Sequence, residues 1–135
     1  MFDNIFDNPT INNAAKLAAR VLLAIIFILG GYNKIVGYSG TAAYMASAGV
    51  PGILLPLVII TELVGGICIL IGYQTRLVAL LMAGFTLLTA IFFHGQLGVP
   101  AQMTQFLKNL AIAGGFLQIF ATGPGIWSVD GQKRS

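Results

Sequence analysis

Charge is scarce in this sequence. Seven Lys and Arg and four Asp and Glu make up only 8% of its 135 residues, against about 25% in an average soluble domain. A domain of this size has a large surface for its volume, and that surface needs polar residues. So few charges cannot cover it, which excludes an ordinary soluble globular fold. Disorder is disfavoured too, because it needs low hydrophobicity and high charge. Cysteine is limited to Cys68. This excludes an internal disulfide, a CxxC redox pair and an all-cysteine metal or iron–sulfur site. Cys68 lies in an apolar run, where a small buried side chain is the plain reading. Histidine is limited to His94, so bis-His haem ligation within one chain is excluded and no metal site is expected. The basic residues are scattered and make no nucleic-acid patch.

What the chain has is apolar length. It is 57% hydrophobic, with a mean hydropathy of +0.89. A spanning helix needs about 20 apolar residues, and four runs qualify, at about residues 17–36, 53–73, 77–93 and 106–122. The runs lack strict alternation, and lipid tolerates no open strand edge, so they read as helices. The expected fold is all-α: one domain over residues 1–135, an integral membrane four-helix bundle.

The connections refine this. Thr41 to Ala48 is helix-prone, is ended by Gly49 and Pro51, and is too short to span. It is expected as a short interfacial helix between the first two spans. Gly72 to Arg76 reads as a tight turn that makes the second and third helices antiparallel neighbours. His94 to Gln105 reads as a polar loop. Phe2, Ile5 and Phe6 share one helical face, so the leader is expected to lie flat on the membrane. It does not read as a cleaved signal, because the first apolar run has full spanning length and ends in Lys34. Glycine pairs at Gly30-Gly31, Gly65-Gly66 and Gly114-Gly115 read as sites of close helix packing, as do the small-residue pairs Thr61 with Gly65 and Ala111 with Gly115.

Basic residues set orientation. Four spans place Lys16, Arg20, Arg76, Lys133 and Arg134 on one side, and Lys34 and Lys108 on the other. Both termini are therefore expected in the cytoplasm, with Arg20 and Arg76 as anchoring residues at inner helix ends. Asp3, Asp7 and Asp130 fall in polar ends where water is available.

Three charges remain unexplained by topology. Glu62 lies about 13 Å into the second span at the rise of a helix. An ionisable group at such depth normally faces the bundle and has a partner. Lys34, His94, Lys108 and Asn109 fall in the same outer half, from other helices, with Tyr32 and Tyr44 nearby. Lys108 and Asn109 are expected in the first turn of the fourth helix, where a cation opposes the dipole and calls for an acid such as Glu62. Three readings of this cluster are open. It is an ion pair that fixes helix register, a polar pocket for a redox-active ligand such as a quinone head group, or a solute path. The last is poorly served, because the third span offers only Thr86 and Thr89.

Several stretches also match a known pattern. They are Arg20 to Lys34 with its Gly30-Gly31-Tyr32-Asn33-Lys34 end, Tyr44-Met45, and Gly49-Val50-Pro51. The series continues with Glu62-Leu63-Val64-Gly65-Gly66, Gly72-Tyr73-Gln74-Thr75-Arg76 and Phe93-His94. It ends with Gln105-Phe106-Leu107-Lys108-Asn109 and Ala121-Thr122-Gly123-Pro124-Gly125. In this order and spacing, over roughly residues 16 to 130, the chain resembles the DoxX family of small four-span bacterial inner-membrane proteins. That family takes its name from the small subunit of an archaeal thiosulfate:quinone oxidoreductase. The resemblance implies the fold. For function it implies a quinone-interacting or anchoring subunit of a membrane oxidoreductase system.

The candidate ligand site is Lys34, Glu62, His94, Lys108 and Asn109. Glu62 and Lys108 are expected to form its charged core, with Lys34 as the second cation and His94 and Asn109 as hydrogen-bond donors. No intrinsic cofactor is expected; quinone is the candidate ligand. The expected partners are the lipid bilayer and a membrane or peripheral oxidoreductase, with no nucleic acid. A homo-oligomer is compatible with the sequence. The alternative is a non-catalytic membrane scaffold.

Overall fold

The computed structural model describes residues 3–134, and the side chains of residues 4–132. The described residues fold as helices joined by short turns, with no strand among them. A single turn, α1 (Asp3–Phe6), leads into the long helix α2 (Pro9–Val36) and the short helix α3 (Tyr38–Ser47). A 3-10 turn at Gly52–Leu54 then opens α4 (Leu55–Ile71), followed by α5 (Thr75–Phe93), α6 (Pro100–Thr122) and α7 (Val129–Arg134).

Local chemistry sets the boundaries. Asn8 caps α2, its Oδ1 accepting from Thr10 N at 2.8 Å and Ile11 N at 3.4 Å, and Pro9 follows as the first helical residue. This is the favoured start for a helix, so α2 begins well before the apolar run that suggested residue 17. Ile5 and Phe6 are exposed on α1; Phe2 lies outside the described residues. The expected short helix is present as α3, and Gly49 at φ +83° ends its turn. The reverse turn is only Gly72-Tyr73-Gln74, because Thr75 and Arg76 already belong to α5. Here Gly72 takes φ +75° and Gln74 φ +48°.

One boundary is corrected with consequences. Residues 100–105 are helical, not loop. Val99 is extended and Pro100 stands at the first helical position, where its locked φ and missing N–H start a helix. Lys108 and Asn109 therefore sit in the third turn of α6, beyond reach of the opposing dipole that the sequence reading invoked.

The four long helices form a bundle in which α2 packs mainly on α4, and α5 on α6. Its centre holds Ala24, Phe27, Met82, Ala83, Ala113 and Phe116, with the Phe27 and Phe116 rings 5.4 Å apart and tilted at 53°. The glycines act as expected at most positions. A Cβ on Gly31 would lie 2.7 Å from Leu63 Cγ, one on Gly66 2.8 Å from Ile28 Cγ1, and one on Gly65 would collide with Met82 Sδ. Gly114 is the exception: it faces open space, so only Gly115 of that pair packs, against Leu23.

Large apolar side chains cover the outside. Leu22 is 70% exposed, Leu81 62% and Ile91 62%. In water this would be a severe liability; in lipid it is the expected surface. α2, α4 with its 3-10 turn, and α5 are each long and apolar enough to cross a bilayer. α6 is long enough at 23 residues but carries Gln105, Lys108, Asn109 and Gln118. The chain is an all-α membrane helical bundle.

The bundle has two distinct ends. At one, the start of α2, the α4–α5 turn and the C-terminal segment meet: Ile126 N donates to Asn13 Oδ1 at 3.2 Å, and Gln74 N donates to Asp130 Oδ1 at 3.0 Å. At the other, the end of α5 meets α3: Tyr44 donates to Phe93 O at 3.4 Å, and the two rings stack at 5.8 Å.

Candidate functional site

Glu62 projects from the third turn of α4, one residue past Thr61 on a helix otherwise almost wholly apolar. Glu62 is only 6% exposed. Its Oε1 lies 2.8 Å from Lys34 Nζ. Lys34 belongs to the last turn of α2 and reaches back along its own helix to make the pair. Gly30, one turn earlier, makes room for it: a Cβ there would lie 2.8 Å from Glu62 Oε2. The partner of Glu62 is thus Lys34 rather than Lys108.

This pair forms one wall of a cavity of about 330 Å³. The volume falls at the lower end of the roughly 300–1,000 Å³ typical of small-molecule sites. Lys34, Glu62, His94, Lys108 and Asn109 all line it. Four sequence-separated segments converge there as expected, and α3 contributes Thr41, Tyr44 and Met45 as a fifth. Tyr32, by contrast, is exposed and does not line the cavity. Phe27, Val58, Phe85, Phe93 and Ile112 supply apolar wall.

The five residues are not equivalent. Asn109 is buried, and its Nδ2 donates to Thr89 Oγ1 at 3.1 Å and Thr86 O at 3.4 Å. Its donor capacity is thus spent on tying α6 to α5. Thr86 and Thr89 in turn donate to carbonyls of their own helix, Met82 O at 2.7 Å and Thr86 O at 2.9 Å. His94 caps the end of α5 and pairs through Nδ1 with Gln102 Oε1 at 3.0 Å. Its Nε2 is left without a hydrogen bond among the described residues. Lys108 makes no ion pair or hydrogen bond among the described residues. The cavity therefore combines a neutralised Lys34–Glu62 pair, one uncommitted ammonium, one partly committed imidazole and aromatic walls. Sequence reasoning passed over Gln102 and used the threonines only to argue against a solute path. The i, i+3 spacing of Thr86 and Thr89, on the helix that delivers His94, was the available signal.

Among the described residues no three His, Cys, Asp or Glu side chains cluster to hold a metal. Cys68 is half-buried.

A second set of polar contacts lies at the end where the termini meet. Arg20 is 1% exposed, which is not the snorkelling anchor expected of it. It donates through Nη1 to Leu70 O at 2.9 Å and Ile69 O at 3.4 Å, and through Nη2 to Trp127 O at 2.5 Å. It thereby satisfies carbonyls at the end of α4 and fastens the C-terminal segment to them. Asp130 is likewise no mere solvated charge. It accepts from Gln74 N at 3.0 Å, Thr75 N at 2.7 Å and Thr75 Oγ1 at 2.8 Å, and so caps α5 from across the chain.

Comparison with known proteins agrees with this architecture. The family model described as DoxX matches residues 15–95. Inner membrane protein YqjF of Escherichia coli is 50% identical over 120 residues, covering 89% of this chain and 92% of that protein. Inner membrane protein YphA of the same organism is 38% identical over 132 residues, covering 93% and 94%. A Bacillus subtilis protein named "Putative oxidoreductase CatD" is 37% identical over 75 residues, covering 56% and 55%. No solved structure matches the chain.

Proposed function

The chain belongs to the DoxX family, and from that membership we propose that its cavity receives the head group of a quinone. On this reading it is a four-span inner-membrane protein that serves as a quinone-interacting or anchoring subunit of a membrane oxidoreductase system. Two relatives carry the name of inner-membrane proteins and one that of an oxidoreductase. The carrying observation is the donor set. Lys108 and His94 both line a largely apolar cavity, and neither the Lys108 ammonium nor His94 Nε2 has a partner among the described residues.

A quinone head group is a flat ring with two carbonyl acceptors, and it supplies reversible two-electron, two-proton chemistry when bound. The residues present fit its shape and polarity. Phe27 and Phe85 offer faces for the ring. Lys108, His94 and Lys34, the last held by Glu62, are the lining residues that can donate to its carbonyls. Asn109 acts by position, holding the Lys108 turn of α6 against α5. Ile26 lines the cavity and is also 40% exposed on the bundle surface. This is the approach an apolar tail would take from lipid.

A non-catalytic scaffold is the second reading, and the Lys34–Glu62 contact at 2.8 Å favours it. Truncating one member of a buried pair leaves the other uncompensated. A double-mutant cycle with Glu62→Gln and Lys34→Met, read by thermal stability and by binding of a short-chain quinone, separates the two. The quinone reading expects coupling in both readouts. Coupling in stability, with no quinone binding by the wild type, leaves the scaffold alone.

A further inference from the structure

The end of the bundle where the termini meet carries a second, larger pocket, of about 500 Å³. Its lining joins Asn13 and Lys16 of α2, Gln74 and Arg76 at the start of α5, and the Gly123-Pro124-Gly125 strap after α6. The strap runs between the two cations. A Cβ on Gly125 would lie 3.3 Å from Lys16 Cδ, and one on Gly123 would lie 3.6 Å from Arg76 Nε. Both glycines take φ +83°, a conformation that side chains rarely adopt.

Two cations, Lys16 and Arg76, line this pocket against one carboxylate. Lys16 makes no ion pair or hydrogen bond among the described residues. Arg76 donates only through Nη2, to Ala121 O at 3.0 Å. The acid in the lining, Asp130, directs both carboxylate oxygens at the first amides of α5 and at the Thr75 hydroxyl. The walls are amphiphilic as well. Leu77 and Ile126 line the pocket and are 56% and 54% exposed, and Trp127 follows at once, as an aromatic residue does at a membrane interface.

We propose that this pocket binds the phosphate of an anionic lipid from the leaflet at that end, with Lys16 and Arg76 on either side of it. A guanidinium and an ammonium are the two side chains that recognise phosphate, and basic pockets between membrane helices take acidic head groups. Leu77 and Ile126 then lie along the acyl chains. The bound lipid ties α2, α5 and the strap together. The site is remote from the Glu62 cavity and independent of its reading.

The full-length protein, delipidated in a mild detergent, tests this. Dioleoyl phosphatidylglycerol, dioleoyl phosphatidylcholine and inorganic phosphate are titrated separately, with binding read by native mass spectrometry and melting temperature. Phosphatidylglycerol should bind and raise the melting temperature, and phosphatidylcholine and inorganic phosphate should not. Each cation removed near a membrane surface weakens anionic binding about fivefold. Lys16→Gln should therefore lose about fivefold in affinity and Lys16→Gln with Arg76→Gln about 25-fold, while Lys16→Arg and Arg76→Lys keep most of it. Arg76→Lys surrenders the Ala121 contact but keeps the charge, so its behaviour separates lipid binding from local folding. Equal stabilisation by phosphatidylcholine, full stabilisation by inorganic phosphate alone, or unchanged affinity in Lys16→Gln would overturn the proposal.

Discussion

Glu62, Lys34 and Gly30 form the smallest unit of this structure with a purpose. A carboxylate in the apolar part of a membrane helix is expensive unless paired. Lys34 supplies the charge, and the missing side chain at residue 30 supplies the space. Gly30→Ala is therefore expected to press on Glu62 Oε2 and lengthen the pair. The loss of stability should be about 1–3 kcal/mol, the usual cost of overpacking, and should fall sharply in a Glu62→Ala background, which removes the atoms that the added Cβ would meet. Detergent-phase thermal melts of the four proteins check this; an equal loss in both backgrounds contradicts it. These residues were legible in the sequence because charge inside an apolar run is conspicuous. The choice of cation was not legible. Lys34 and Lys108 both line the cavity, and spacing along the chain does not decide between them.

Helix ends carry much of the remaining polar chemistry. Arg20 satisfies the end of α4 and Arg76 the end of α6, while Asp130 caps the start of α5. Each satisfies backbone groups that a helix leaves open at its ends. Asp130→Ala removes three hydrogen bonds from the first turn of α5. It should cost about 1–2 kcal/mol, with faster amide exchange at Gln74 and Thr75. Unchanged exchange there would show that the cap is dispensable. None of this was visible from spacing. Arg20 and Trp127 lie 107 positions apart, and a basic residue near a helix end reads first as an anchor. The bounds of α4 and α5, by contrast, were read to within two residues, because length and hydropathy alone decide them, whereas the polar first turns of α2 lay outside its apolar run.

For the whole molecule, the first turns of α2 and the C-terminal segment gather at one end of the bundle. If α6 crosses with the others, both termini face the same compartment, and the basic residues at that end favour the cytoplasm. A reporter active only outside the cytoplasm, fused after Ser135, should be silent, and one fused in the His94–Val99 connection should be active. A bright C-terminal fusion contradicts a four-span arrangement. The scarcity of charge that excluded a soluble fold thus sorts into three tasks: orientation, helix capping and the cavity.

The cavity is the centre of the account, and photolabelling with an azido-substituted short-chain quinone tests it most directly. The label should map to the peptides carrying Lys34 and Lys108, be displaced by excess unlabelled quinone, and fall at least tenfold when Lys108→Met and His94→Leu are combined. Label spread along lipid-facing positions such as Leu22 and Leu81, and not displaced by excess quinone, would contradict a quinone site in this cavity.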